Sequence, residues 1–135
     1  MSLPTETQRA RAPHFSSAEF RTALGMFATG VTIVTARAPN GALVGLTANS
    51  FNSVSLDPPL VLWSLSQAAS SMAAFRTGSH YAINILAADQ QALAQRFATR
   101  HADRFADVAF VEGRSGAPLL ILSVLTAVVM LRVTM

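Results

Sequence analysis

The stretch Gly45-Leu46-Thr47-Ala48-Asn49-Ser50-Phe51-Asn52-Ser53-Val54-Ser55-Leu56-Asp57-Pro58-Pro59 sets small hydroxyl and amide side chains between apolar ones. It lies in a region almost stripped of charge, since from Thr22 to Phe75 only Arg37 and Asp57 are ionisable as acid or cation. Such a surface offers donors and acceptors close to backbone N–H groups, with no fixed charge to repel a large planar ligand. The same alternation also describes a strand pair with Ser and Thr on its wet face, and periodicity alone favours that ordinary reading. Ser64, Ser66, Ser70 and Ser71 form a second polar cluster, at a strand end leading into a helix. Hydroxyls and free N–H groups at a helix start can hold a phosphate without lysine, although plain capping uses the same residues. Arg76 adds either a charge-assisted contact to such an anion or a solvated helix end.

Several chemistries are excluded by residue type. The chain has no lysine, so neither a Walker-type phosphate loop nor a Schiff base is available. It has no cysteine, which removes disulfides, thiolate nucleophiles and zinc-thiolate sites and suits the cytoplasm. His14, His80 and His101 are far apart and beside no other ligand type, so no metal site is expected. No G-x-S-x-G elbow exposes a serine nucleophile. The sequence pI of about 11.1 reflects a net charge of only +3 carried by arginines, with no basic stripe to track a nucleic acid.

The elements that must hold these residues follow from pattern. Ser16 and Glu19 match a capping box ahead of Phe20, Leu24 and Phe27, so a helix is predicted over Ser17 to Ala28, closed by Gly30. Val31 to Ala36 and Leu43 to Ala48 flank the turn signal Pro39-Asn40-Gly41 and form a hairpin. Phe51 to Leu56 is a third strand; Leu60 to Ser66 is a fourth, whose nearly continuous apolar run implies burial on both faces. Ser70 or Ser71 caps a short helix ending before Gly78, Tyr81 to Leu86 is a strand, and Asp89 caps a helix bearing Leu93 and Phe97. His101 to Phe105 is a further short helical segment. The Arg and Asp mixture from Asp89 to Asp107 reads as a solvated face, with Phe97 and Ala98 turned inward. Leu119 to Leu131 is an uncharged run of 13 residues, too short for a spanning helix of roughly 20, and reads as a strand pair. The 135 residues, 51% of them hydrophobic, then make one mainly β domain, an antiparallel barrel with helical decoration.

With these elements in place the sequence resembles the flavin reductase-like family of FMN-binding split barrels, which includes reductase components of two-component monooxygenases. The Thr47 to Pro59 segment carries the resemblance. So do Phe27-Ala28-Thr29-Gly30-Val31-Thr32-Ile33-Val34-Thr35, Leu60-Val61-Leu62-Trp63-Ser64-Leu65, Tyr81-Ala82-Ile83-Asn84-Ile85-Leu86 and Gln95-Arg96-Phe97-Ala98. These follow one another in the family's order from about Phe15 to Leu120. The resemblance implies that Thr47, Ala48, Asn49 and Ser50 lie along the flavin, with Ser53, Val54 and Ser55 beside its isoalloxazine ring. Ser64, Ser66, Ser70 and Ser71 would reach the ribityl chain and phosphate, and Phe97 and Ala98 would close the pocket. Gly25, Thr29 and Gly30 would leave room for nicotinamide. No catalytic acid or base is implied, because the hydride chemistry belongs to the flavin.

The implied activity is an NAD(P)H-dependent flavin reductase that uses FMN or FAD and supplies an oxygenase component, acting as a homodimer. Members of the family usually continue after Gly-Ala-Pro-Leu-Leu with barrel strands and a Gly-Asp-His segment, and Ile121 to Met135 shows neither. The expected layout is a disordered arm over 1–14, a split-barrel domain over 15–120 and an atypical apolar tail over 121–135, leaving the barrel incomplete at the C-terminus. The tail is expected to be extended and to pack against the Val31 to Leu65 sheet. Two alternatives stay open: a flavin-binding module with little or no turnover, and a compromised chain that associates through its apolar tail.

Overall fold

A computed structural model describes residues 14–26, 30–100, 103–121 and 125–130, and for 24, 25 and 125–130 the backbone alone. Helix α1 (Ser17–Gly25) opens on the expected capping box: the Ser16 N–H donates to Glu19 Oε2 at 2.8 Å, and the Glu19 N–H to Ser16 Oγ at 3.2 Å. Strands β1 (Thr32–Arg37) and β2 (Leu43–Ala48) form the predicted hairpin. Its turn is made by Gly41, whose φ of 88° suits a residue without Cβ, and by Asn40 Oδ1 accepting the Ala42 N–H at 3.0 Å.

Strands β3 (Asn52–Leu56) and β4 (Pro59–Leu62) form a two-stranded ribbon with a bulge at Val54. Helix α2 (Met72–Thr77), strand β5 (His80–Ile85), a 3-10 turn (Ala88–Gln90) and helix α3 (Gln91–Ala98) follow. Asp89 falls inside the 3-10 turn rather than capping α3; the Ala87 N–H is held instead by Gln90 Oε1 at 2.8 Å. Residues 104–107 are turns, not the short helix expected over His101 to Phe105, and His101 lies outside the described residues. Strands β6 (Phe110–Glu112) and β7 (Pro118–Leu120) pair with each other. Strand β8 (Leu125–Met130) pairs antiparallel with β5.

The main sheet runs β2-β1-β5-β8, antiparallel throughout. The architecture is mainly β and antiparallel, as expected, and no closed barrel forms among the described residues. β1 is buried along its length because both faces of the sheet are covered. Val34 and Ala36, with Ala48, Tyr81 and Ile83, face Phe75, and Trp63, Leu65, Val61 and Phe51 pack onto this cluster. Trp63, Phe75 and Tyr81 meet edge to face at 5.2, 5.6 and 6.2 Å between centroids, a favoured aromatic geometry. On the opposite face Ile33 packs with Phe97 and Leu120, supported by Leu93, Phe105, Val108 and Phe110.

The tail expectation holds in part, since β8 is extended and joins the sheet, although beside β5 rather than across its face. The expectation that β4 is buried on both faces is corrected: Leu60 and Leu62 stay 44% and 57% exposed, because the ribbon has only one covered side. A continuous apolar run therefore does not by itself mean two buried faces. Among the described residues no helix is long and apolar enough to cross a membrane.

Candidate functional site

β2 is an outer strand of the sheet, and a groove of about 970 Å³ runs along its free edge. Leu43 to Thr47 form its floor, Leu65, Ala68, Ala69, Ser70 and Ser71 one bank, and Phe97, Ala98, Arg100, Asp103, Arg104 and Phe105 the other. The two banks belong to opposite faces of the sheet, so the groove wraps round the strand edge. Its volume lies at the top of the range of about 300–1,000 Å³ typical of small-molecule sites.

Gly45 shapes the floor. A Cβ built there would lie 2.7 Å from Phe97 Cε1 and 3.1 Å from Phe105 Cζ, so only glycine lets the two rings rest on the strand. The Gly45 carbonyl points away from β1 and accepts from Arg104 Nη1 at 2.7 Å. Alternation along a strand turns the main-chain groups of Leu43 and Thr47 to the same open side. Thr47 Oγ1 donates to Ala94 O at 2.5 Å, fastening α3 to β2 and leaving the hydroxyl free to accept.

Of the residues singled out from sequence, the groove gathers Thr47, Ser70, Ser71, Phe97 and Ala98. Phe97 is fully buried, a wall rather than an exposed lip. Ala48 is buried in the core, where its carbonyl accepts from Thr32 Oγ1 at 2.7 Å. Asn49 and Ser50 are exposed just past β2, and Ser50 Oγ accepts the Ser64 N–H at 3.0 Å, tying the start of the ribbon to its end. Ser53, Val54 and Ser55 sit on β3 around the bulge, outside the groove lining. Ser66 Oγ accepts the Ala68 N–H at 3.3 Å and so shapes the turn before Ser70. Ser71 is the N-cap of α2, but its hydroxyl makes no capping bond. Gly25 ends α1, Thr29 lies outside the described residues, and Gly30 is exposed with open space where a Cβ would stand.

Sequence reasoning gave no role to Gly45, though it opens the segment singled out first, and missed Arg100, Asp103, Arg104 and Phe105. An isolated glycine within a strand pattern is a signal of close backbone approach and marks Gly45. Nothing local marks Arg104, whose neighbours read as solvated. Among the described residues no three acidic or imidazole groups gather as a metal site would need. The lining is about equally polar and apolar, with small hydroxyls on one bank and Arg100, Asp103 and Arg104 on the other, a donor set that fits a planar heteroaromatic group carrying a polar tail.

Residues 24–131 match the flavin reductase-like domain, past Leu120 where the resemblance read from motifs stops. The FMN reductase (NADH) SmoA of Agrobacterium fabrum is 50% identical over 105 residues, covering 78% of this chain and 59% of that protein. The reductase component of 4-nitrophenol 4-monooxygenase/4-nitrocatechol 2-monooxygenase from Rhodococcus opacus is 50% identical over 103 residues, covering 76% and 55%. The chain thus spans less than two thirds of the length of either curated relative. Among solved structures, the Streptomyces globisporus NADH:FAD oxidoreductase SgcE6, in complex with NAD and FAD fragments, superposes with a TM-score of 0.79. It is 37% identical, with 85% of this chain and 69% of that one covered. On the family match and these identities, the chain belongs to the flavin reductase-like domain family.

Proposed function

We propose that this chain is an NAD(P)H-dependent flavin reductase that supplies reduced FMN or FAD to a partner monooxygenase. The observation that carries the reading is the hydroxyl-bearing groove along the free edge of β2, in a chain 50% identical over 105 residues to a protein named as an FMN reductase. The oxygenase partner is supported by the relative named as a monooxygenase reductase component. A bound flavin supplies the redox chemistry itself. The chain's own residues then have to bind, orient and exclude water. Outward main-chain groups of Leu43 and Thr47 serve as neutral donors and acceptors, Ser70 and Ser71 meet the polar tail, and the Phe97 wall keeps the bank dry.

Ser53, Val54 and Ser55 would meet the isoalloxazine ring from the ribbon, and Thr47 to Ser50 would lie along it. Ser64 and Ser66 would extend the polar bank, and Gly25, Thr29 and Gly30 would leave the nicotinamide side open. The ribbon also suits a homodimer: Val54, Leu56, Leu60 and Leu62 are all exposed on it, an apolar patch that a second copy would cover. The domain is read as 15–120 with the segment beyond it as an addition, acting in the cytoplasm.

Steady-state NADH oxidation with added FMN, set beside an FMN fluorescence titration, tests the function. Saturable binding with turnover supports the reductase. Binding without turnover favours a flavin-binding module, and no binding by a folded chain sinks both. Replacing Ser53 and Ser55 by Leu is expected to weaken FMN binding without unfolding the domain; unchanged affinity removes them from the site. Sedimentation of a monomer at micromolar concentration would count against the dimer.

A further inference from the structure

We propose that Arg104 is the positioning residue of the groove, holding its α3 bank against the free edge of β2 so that the binding volume exists before any ligand arrives. One guanidinium spans the gap. Nε and Nη2 donate to Thr99 O, just past α3, at 3.1 and 2.8 Å, while Nη1 donates to Gly45 O on β2 at 2.7 Å. Three of the five N–H donors of the guanidinium, one on each nitrogen, are committed to main-chain carbonyls, which ties the side chain to the protein frame. Arg104 is half-buried in a stretch whose charge pattern alone reads as solvated.

The next residue transmits the effect. Phe105 stands edge-on to Phe97 at 5.0 Å and to Phe110 at 5.8 Å, and both Phe97 and Phe105 lie where a side chain on Gly45 would collide. Arg104 therefore fixes the distance between the aromatic bank and the strand that forms the floor. Charge-assisted bonds to two separate carbonyls need a planar fork, which a lysine ammonium does not reproduce. The proposal rests on the flavin reading of this groove.

The test compares the wild-type chain with Arg104→Gln and Arg104→Lys. FMN is titrated by fluorescence, NADH oxidation is followed at varied FMN, and amide exchange is measured without ligand. Both variants are expected to raise Kd and KM for FMN about tenfold or more, with kcat at saturating FMN changed less than about threefold. Amides of Ala106 and Val108, held by Asp103 O and Phe105 O, should exchange faster, while those of β1 and β5 keep their protection. Unchanged Kd and exchange would overturn the proposal. So would a fall in kcat at constant KM with a lowered melting temperature, which marks general stability alone. If Arg104→Gln does not fold, Arg104→Lys carries the same comparison. A wild-type chain that binds no FMN sinks the flavin reading instead, and the exchange data then decide whether Arg104 holds the bank.

Discussion

Asn84 is fully buried on β5 and joins three strands through one amide. Its Nδ2 donates to Ile33 O at 2.9 Å and Thr35 Oγ1 at 3.1 Å, and its Oδ1 accepts the Leu120 N–H at 2.9 Å. Thr35 Oγ1 in turn donates to Pro118 O at 2.6 Å. Asn84→Leu leaves the buried Leu120 N–H without its acceptor, at about 1–3 kcal/mol, so chemical denaturation should register a loss of about 1 kcal/mol or more. Gly45→Val should cost about 1–3 kcal/mol through overpacking against Phe97 and Phe105 and weaken FMN binding as well. At the surface, Glu19 is held below its ordinary value of 4.5, first by the Ser16 N–H and then by the Ser16 hydroxyl. A depressed carboxyl contributes above its unfolded value and loses that contribution as pH falls through the folded one. Protection of the α1 amides relative to the unfolded chain should therefore fall below pH 4.5, and Glu19→Gln should abolish that dependence. At this scale the capping box was legible because its partners are three residues apart. Arg104, Thr99 and Gly45 were not, because a contact across 59 positions leaves no local trace.

The hairpin of β1 and β2 follows its sequence pattern closely, since Asn40-Gly41 fixes the turn and Leu43 to Ala48 is the observed strand. β4 shows where pattern fails: Val61 and Trp63 face the core while Leu60 and Leu62 face out, yet all four are apolar. β8 was legible as extended from its β-branched content, but its neighbour was not, because strand pairing is decided by the whole sheet. Its register places Val128 opposite Ala82 and Val129 opposite Tyr81. Adjacent residues of a strand direct their N–H groups to opposite edges, so proline at one of these positions removes a ladder bond and at the other does not. Val128→Pro and Val129→Pro should thus differ in stability by about 1 kcal/mol or more. Equal melting temperatures would mean that β8 does not hold β5 in solution.

Over the molecule as a whole, the antiparallel, mainly β architecture was legible from strands joined by short turns, and the groove was legible only in part. Thr47, Ser70, Ser71, Phe97 and Ala98 converge, whereas Ser53 to Ser55 belong to a separate ribbon whose placement no periodicity encodes. A ligand that binds only the folded chain raises its stability, by about 2.7 kcal/mol at a hundredfold excess over Kd. FMN should accordingly raise the melting temperature of the wild-type chain, and less so that of the Ser53→Leu/Ser55→Leu variant. Among the described residues, β3 and β4 hydrogen-bond only to each other, while Thr32, Thr35 and Asn84 lock the main sheet from within. That separation bears on how the sequence can drift. Ribbon positions such as Ser53, Val54 and Leu56 are free to change without unsettling the four-stranded sheet, whereas the interior polar trio is not. A saturation library selected only for soluble expression should accept most replacements on the ribbon and few at Thr35 or Asn84, so that descendants of this chain diverge in what they hold well before they diverge in how they fold.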